Sequence, residues 1–145
     1  ITYTAIESLA IRVAKHSENA LALAQYFENS TDVKSVNYPG LSSSPSHDRA
    51  SQFYSGYGSL LTIECESKDH AFSVVNNLKL VKNMANLGDA KTLVIHPGST
   101  IFRGFDPQTA AEAGVTENTL RLSIGIEHID DIIADFDQAF KEAKK

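Results

Sequence analysis

Apolar residues recur at helical spacing along the first thirty positions, at Ile6, Leu9, Val13, Ala20, Ala24 and Phe27. That spacing predicts one long amphipathic helix over about residues 4–29. Thr4-Ala5-Ile6-Glu7 has the form of a capping box at its start, and Asn29-Ser30 ends it. Val33 to Tyr38 reads as a short strand stopped by Pro39-Gly40, followed by a polar loop over 41–46 and a short helix around His47–Tyr54. Gly56-Tyr57-Gly58 marks a turn. Leu60 to Glu66 alternates as a half-buried strand, and Lys68 to Leu80 carries Ala71, Val74, Val75 and Leu78 on one helical face.

Further along, Val81–Ala85 and Thr92–Ile95 are predicted short strands. Asp106-Pro107 opens a helix and Gly114 stops it. Thr119 to Ile124 is a strand with Leu120, Leu122 and Ile124 on one face and Arg121 and Ser123 on the other. The spacing 129, 132, 133, 136, 140 marks a final amphipathic helix. It places Asp130, Asp131 and Asp135 early and Lys141, Lys144 and Lys145 late, which suits the helix dipole. Helices and short strands mix without regular βαβ alternation. The expected fold is therefore α+β, an α/β sandwich whose mostly antiparallel sheet is covered by helices on one face.

The 145 residues are expected to form a single domain, with no internal repeat and no dividing linker. Hydrophobic residues at 42% and charged residues at 21% are ordinary for a globular protein, and a chain of this length buries roughly two-thirds of its unfolded surface. A net charge of -5 without a clustered basic face argues against nucleic acid as a partner. No apolar run approaches the ~20 residues of a membrane span. Cys65 stands alone, so no internal disulfide forms, and a reducing, cytoplasmic compartment is expected. The chain opens at Ile1 directly in predicted helix, which suggests a piece of a longer protein.

Arg121 is the first candidate for chemistry. A guanidinium inside an otherwise apolar strand offers a planar fork that matches a carboxylate in two parallel bonds. On pattern alone, the commoner case is a solvated arginine paired with a nearby acid. Asn86-Leu87-Gly88-Asp89 is the second candidate; by composition alone it is a simple turn. His96, held extended by Pro97, is expected to be structural, because no nucleophile or second base sits at a convincing spacing. His16, His47, His70 and His128 are scattered without metal-ligand spacing and fit helix faces and caps. Cys65 reads as a buried small hydrophobe, and Tyr54 and Tyr57 as packing or interface residues.

Several stretches together carry a resemblance. Asn86-Leu87-Gly88-Asp89-Ala90-Lys91-Thr92-Leu93-Val94-Ile95-His96-Pro97 and Leu120-Arg121-Leu122-Ser123-Ile124-Gly125-Ile126-Glu127 are two of them. Others are Glu7-Ser8-Leu9-Ala10-Ile11-Arg12, His16-Ser17-Glu18-Asn19-Ala20, Val36-Asn37-Tyr38-Pro39-Gly40-Leu41 and Asp130-Asp131-Ile132-Ile133-Ala134-Asp135. In this order they resemble the C-terminal part of the pyridoxal-phosphate (PLP) enzymes of cysteine and methionine metabolism, the trans-sulfuration family. The O-acetylhomoserine sulfhydrylase branch is the most similar in wording, and Asn86, where many relatives place serine, favours it. The resemblance implies the small C-terminal domain of a fold-type I, aspartate aminotransferase-like enzyme, with residues 1–30 as a linking helix. The large PLP-binding domain, with the Schiff-base lysine, would lie upstream and is absent from this chain.

The resemblance further implies that Arg121 holds the substrate α-carboxylate, assisted by Asn86 and Leu87, and that the parent is a homo-oligomer. No catalytic, cofactor-binding or metal-binding residue is assigned within this chain. The implied reaction is displacement of acetate from O-acetylhomoserine by sulfide, a step of methionine biosynthesis. A related γ-lyase, cystathionine γ-synthase or β-lyase, or a stand-alone carboxylate-binding or oligomerisation module, are the alternatives. One departure stands out: relatives usually show a Thr-His pair where this chain has Ile101-Phe102.

Overall fold

Leu120 and Leu122 lie on one side of the strand Thr119–Ser123 (β5) and are completely buried, as is Ile124 just beyond it. The computed structural model describes residues 2–144, so Ile1 of the expected linking helix and Lys145 of the expected final helix lie outside the described residues. Leucines facing one side demand apolar neighbours, and the register supplies them. Leu61 and Ile63 of Leu60–Glu64 (β2) sit opposite Leu122 and Leu120, and Val94 of Leu93–Ile95 (β4) sits opposite Leu122. Val36 of Ser35–Asn37 (β1) extends the row beyond Ile63, and Lys82–Asn83 (β3) forms the far edge. The five strands run in the order β1-β2-β5-β4-β3, antiparallel except for β3 beside β4.

Three helices cover this face: Leu9–Glu28 (α2), Lys68–Asn77 (α4) and Ile129–Ala143 (α6). Phe27 of α2 meets Phe136 of α6 edge to face at 5.0 Å, and Phe140 stands 6.2 Å from the same ring. Such tilted aromatic pairs add about 1 kcal/mol beyond the area they bury. The α+β sandwich, the mostly antiparallel sheet and the single helical layer all agree with the sequence. Short helices at Thr2–Glu7 (α1), His47–Phe53 (α3) and Pro107–Glu112 (α5) complete the described chain. Asp106 caps α5 through the Thr109 N–H at 2.9 Å, and Gly114 beyond it takes φ 73°.

Four local expectations are corrected. The first helix is two helices, broken at Ser8. The Arg12 guanidinium reaches back to the Ala5 carbonyl at 2.8 Å and to the Ser8 hydroxyl at 2.7 Å, supplying donors that a continuous ladder would not need. Thr4 therefore lies inside α1 and caps nothing. Ile6, Leu9 and Val13 share the spacing of the buried stripe but stay exposed, because α2 is buried only from His16 onward. All five strands are shorter than the sequence suggests, β3 being only a pair of residues.

Helix α4 stops at Asn77 rather than Leu80 for a long-range reason. The buried Asp135 carboxylate of α6 accepts the N–H groups of Lys79, Leu80 and Val81, each at 2.9 Å. Three successive donors aimed at one anion form a nest, and a continuing α4 would instead engage these N–H groups with its own carbonyls. Gln138 adds a fourth donor at 3.1 Å and ties the Asn77 carbonyl at 2.7 Å. Asp135→Ala leaves three N–H groups without an acceptor and should cost on the order of 3 kcal/mol. Urea denaturation should show a lower midpoint with an unchanged slope. A loss below about 1 kcal/mol would mean that water replaces the carboxylate at no cost.

Candidate functional site

The face of the sheet away from the helical layer carries a different row. Arg121 is flanked across the strands by Thr62 on β2 and Ile95 on β4, and Asn37 on β1 follows Thr62. The arginine is half-buried and lines a shallow groove of about 260 Å³ with Asn37, Pro39, Leu60, Leu61 and Thr62. Among the described residues, no side chain or carbonyl forms a hydrogen bond or ion pair with its guanidinium. The solvated arginine paired to a nearby acid is thus not what this fold builds. Five N–H donors face a groove whose other walls carry no charge, an arrangement that suits a planar anion. Ser123, on the same strand face, is buried with its hydroxyl unpaired.

Asn86 and Leu87 sit apart from this groove on an exposed turn before β4. The Asn86 amide donates to Asp89 at 3.4 Å, and Asp89 accepts the Lys91 N–H at 3.0 Å. Gly88 takes φ 71°, a left-handed conformation that a side chain would strain. No hydrogen bond joins this turn to Arg121. The chain that leaves the turn is nonetheless fastened to the exit of β5. The Ile126 N–H donates to the Ala90 carbonyl at 2.9 Å. The Glu127 carboxylate accepts the Thr92 N–H at 2.7 Å and the Thr92 hydroxyl at 2.8 Å, and that hydroxyl in turn accepts the Gly125 N–H at 2.9 Å.

Helix α2 grips the same segment from the other side. His16 Nδ1 donates to the Ile124 carbonyl at 2.6 Å; Asn19 donates to the carbonyls of Gly125 at 3.1 Å and Glu127 at 2.8 Å. Gly125 has no room for a side chain, since a Cβ there would overlap the Glu127 carboxylate and the Ala90 carbonyl. Residues His16, Asn19, Thr92 and Glu127 form a latch that the sequence analysis did not assemble. A signal was present: two polar residues one turn apart interrupt the stripe that continues at Ala20, Leu23 and Phe27.

The remaining candidates are structural. His96 uses both ring nitrogens, Nε2 donating to the Glu117 carbonyl at 2.8 Å and Nδ1 accepting from Ser99 at 3.1 Å, and its ring packs on Phe72. His47 contacts the Pro39 carbonyl at 2.9 Å and stacks near Tyr57, which also packs on Tyr38, while Tyr54 is exposed. Phe102 lines a cavity of about 320 Å³ with Phe105, Ala110 and Val115 as well as Lys68, His96 and Glu117, and Ile101 lies exposed outside it. A PLP cradle requires a lysine for the Schiff base and an acid facing the pyridine nitrogen. The described lysines lie on the outside, Lys15 paired with Glu18 at 2.6 Å and Lys68 with Glu117 at 3.1 Å, while Lys79, Lys82 and Lys91 are exposed. The described residues therefore do not fit the cofactor itself; what they present is Arg121.

Cys65 is fully buried, and burial, with the nearby Glu64 charge second, pushes its thiol up to about 12. The raised value keeps the sulfur as thiol across neutral and mildly basic pH, so the nucleophilic thiolate is missing. Iodoacetamide at about pH 8 should label the native chain far more slowly than the urea-unfolded chain, read by mass spectrometry. Equal rates would show that Cys65 is accessible and ionised in the folded state.

Known proteins share this sequence and this arrangement. A sulfhydrylase of Fusarium oxysporum f. sp. lycopersici is 46% identical over 140 residues, covering 95% of this chain and 32% of its own length. The homocysteine synthase of Schizosaccharomyces pombe is also 46% identical, with 95% and 33% covered. An O-acetyl-L-homoserine sulfhydrylase of Corynebacterium glutamicum is 43% identical over 137 residues, with 93% and 31% covered. A crystal structure from Campylobacter jejuni, of a protein assigned as an O-acetylhomoserine (thiol)-lyase and containing a pyridoxyl-lysine phosphate, superposes with a TM-score of 0.93 at 38% identity, with 95% of this chain and 33% of that one covered. The chain thus spans about a third of the length of these relatives. The family model for Cys/Met metabolism PLP-dependent enzymes matches residues 1–141, and with these likenesses in sequence and fold the chain belongs to that family.

Proposed function

We propose that this chain is the C-terminal, substrate-orienting domain of a PLP-dependent O-acetylhomoserine sulfhydrylase, in which sulfide displaces acetate to give homocysteine. One observation carries the proposal: Arg121, between two buried leucines of the central strand, is a half-buried cation that lines a groove and has no partner among the described residues. Its fork binds the α-carboxylate of the amino-acid substrate in two parallel bonds and so fixes which way the rest of the substrate points. Asn86 and Leu87, on the separate turn before β4, would assist at the same carboxylate. The relatives named as sulfhydrylases and homocysteine synthase support this branch over the lyases of the family. The cofactor supplies the electron sink when bound, and its lysine belongs to residues outside this chain.

Two outcomes are expected. In the full-length enzyme, Arg121→Ala should lower kcat/KM for O-acetylhomoserine by about 10- to 100-fold, the equivalent of ~1.5–3 kcal/mol for hydrogen bonds to a charged group. Arg121→Lys should recover only part of it, because an ammonium lacks the planar fork. Wild-type kcat/KM in Arg121→Ala would refute the assignment. The 145-residue chain alone, mixed with PLP, O-acetylhomoserine and sulfide, should form no homocysteine and keep no visible cofactor band after gel filtration. Turnover by this chain would show that it carries a complete active site.

A further inference from the structure

The Arg121 groove and the Asn86-Leu87 turn lie on separate elements, and no hydrogen bond runs between them. Something must hold them in register if one carboxylate is to be shared. The strand after the turn, β4, pairs directly with β5, and a second connection lies beyond that ladder. The turn's outgoing strand is bonded to the exit of β5 through Ile126–Ala90, Thr92–Glu127 and Gly125–Thr92. Thr92 is completely buried, and its hydroxyl both donates to Glu127 and accepts from Gly125. Gly125 lets the two segments approach so closely that no side chain fits between them. The segment is clamped from behind by His16 and Asn19 of α2.

We infer that Thr92 and Glu127 are positioning residues for carboxylate recognition: through their paired hydrogen bonds they set the Asn86-Leu87 turn against Arg121. The inference rests on the carboxylate role proposed above for Arg121. Neither residue touches the substrate. The Glu127 carboxylate has both oxygens engaged by Thr92, so it is held away from the anion that Arg121 receives and does not compete as a counter-ion. Losing the latch should therefore weaken binding of the substrate carboxylate while leaving the chemical step largely intact.

The test uses the full-length enzyme with Thr92→Val, Thr92→Ser and Glu127→Gln, beside Arg121→Ala. Thr92→Val keeps the side chain's shape and removes the hydroxyl. It should raise KM for the amino-acid substrate about tenfold with kcat within about twofold, and Thr92→Ser should restore KM. Glu127→Gln, which retains one acceptor oxygen, should give an intermediate KM. Amide hydrogen exchange, read without any turnover, should show Ile126 and Thr92 exchanging faster in Thr92→Val and unchanged in Arg121→Ala. If Arg121→Ala raises KM and the folded Thr92 and Glu127 variants do not, the positioning role is overturned and the carboxylate role stands. If Arg121→Ala leaves kcat/KM unchanged, the carboxylate role fails and this inference falls with it. A Thr92→Ser enzyme as impaired as Thr92→Val, or a fall in kcat with KM unchanged, would show that the latch is only structural.

Discussion

The backbone leaving the central strand is buried, and buried carbonyls must be paired. Ile124 and Gly125 are almost fully shielded, and the carbonyls of Ile124, Gly125 and Glu127 are answered by His16 and Asn19 from a helix more than a hundred positions earlier in the chain. Leaving such groups unpaired would cost about 1–3 kcal/mol each. This requirement fixes the rotation of α2 about its axis. With His16 and Asn19 turned to the strand exit, Ala20, Leu23 and Phe27 must face the sheet and α6, and Phe27 falls against Phe136 and Phe140. The helical layer is placed by polar bonds at one end and by aromatic packing at the other. The turn before β4 is placed by the same knot, because Thr92 and Ala90 are bonded to it.

How much of this was legible in the sequence depends on the range of the cause. Strand β5, helix α6 and the capped start of α5 could be read because alternation, helical period and a capping Asp are local. Arg121 could be picked out because a cation in an apolar strand breaks the local pattern. The break at Ser8 depends on Arg12 folding back, and the early end of α4 on Asp135, more than fifty residues away in sequence. Neither leaves a periodic trace. The latch has the same character: Thr92, Glu127, His16 and Asn19 come from three separate segments, and only the fold makes them neighbours. The exposure of Ile6, Leu9 and Val13 was illegible for another reason. Periodicity shows that a helix has an apolar face, not that the described fold reaches far enough to cover it.

The chain treats its interior polar groups in two ways, and the contrast bears on function. Asp135 is a buried anion surrounded by donors, Glu127 has both oxygens occupied, and His96 uses both nitrogens. Each closes a local account of donors and acceptors, and each holds backbone in place. Such groups are specific to the fold because breaking them exposes an unpaired partner. Arg121 is the counterexample. It sits at the centre of the sheet, where strand neighbours on both sides fix its backbone, and no described group meets its fork. A central strand offers the least freedom to move, so the guanidinium is presented from a rigid base. A carboxylate bound there, as proposed, would replace water at a planar fork that an ammonium could not supply. The bonded groups hold the frame still, and the guanidinium that they position has no partner among the described residues.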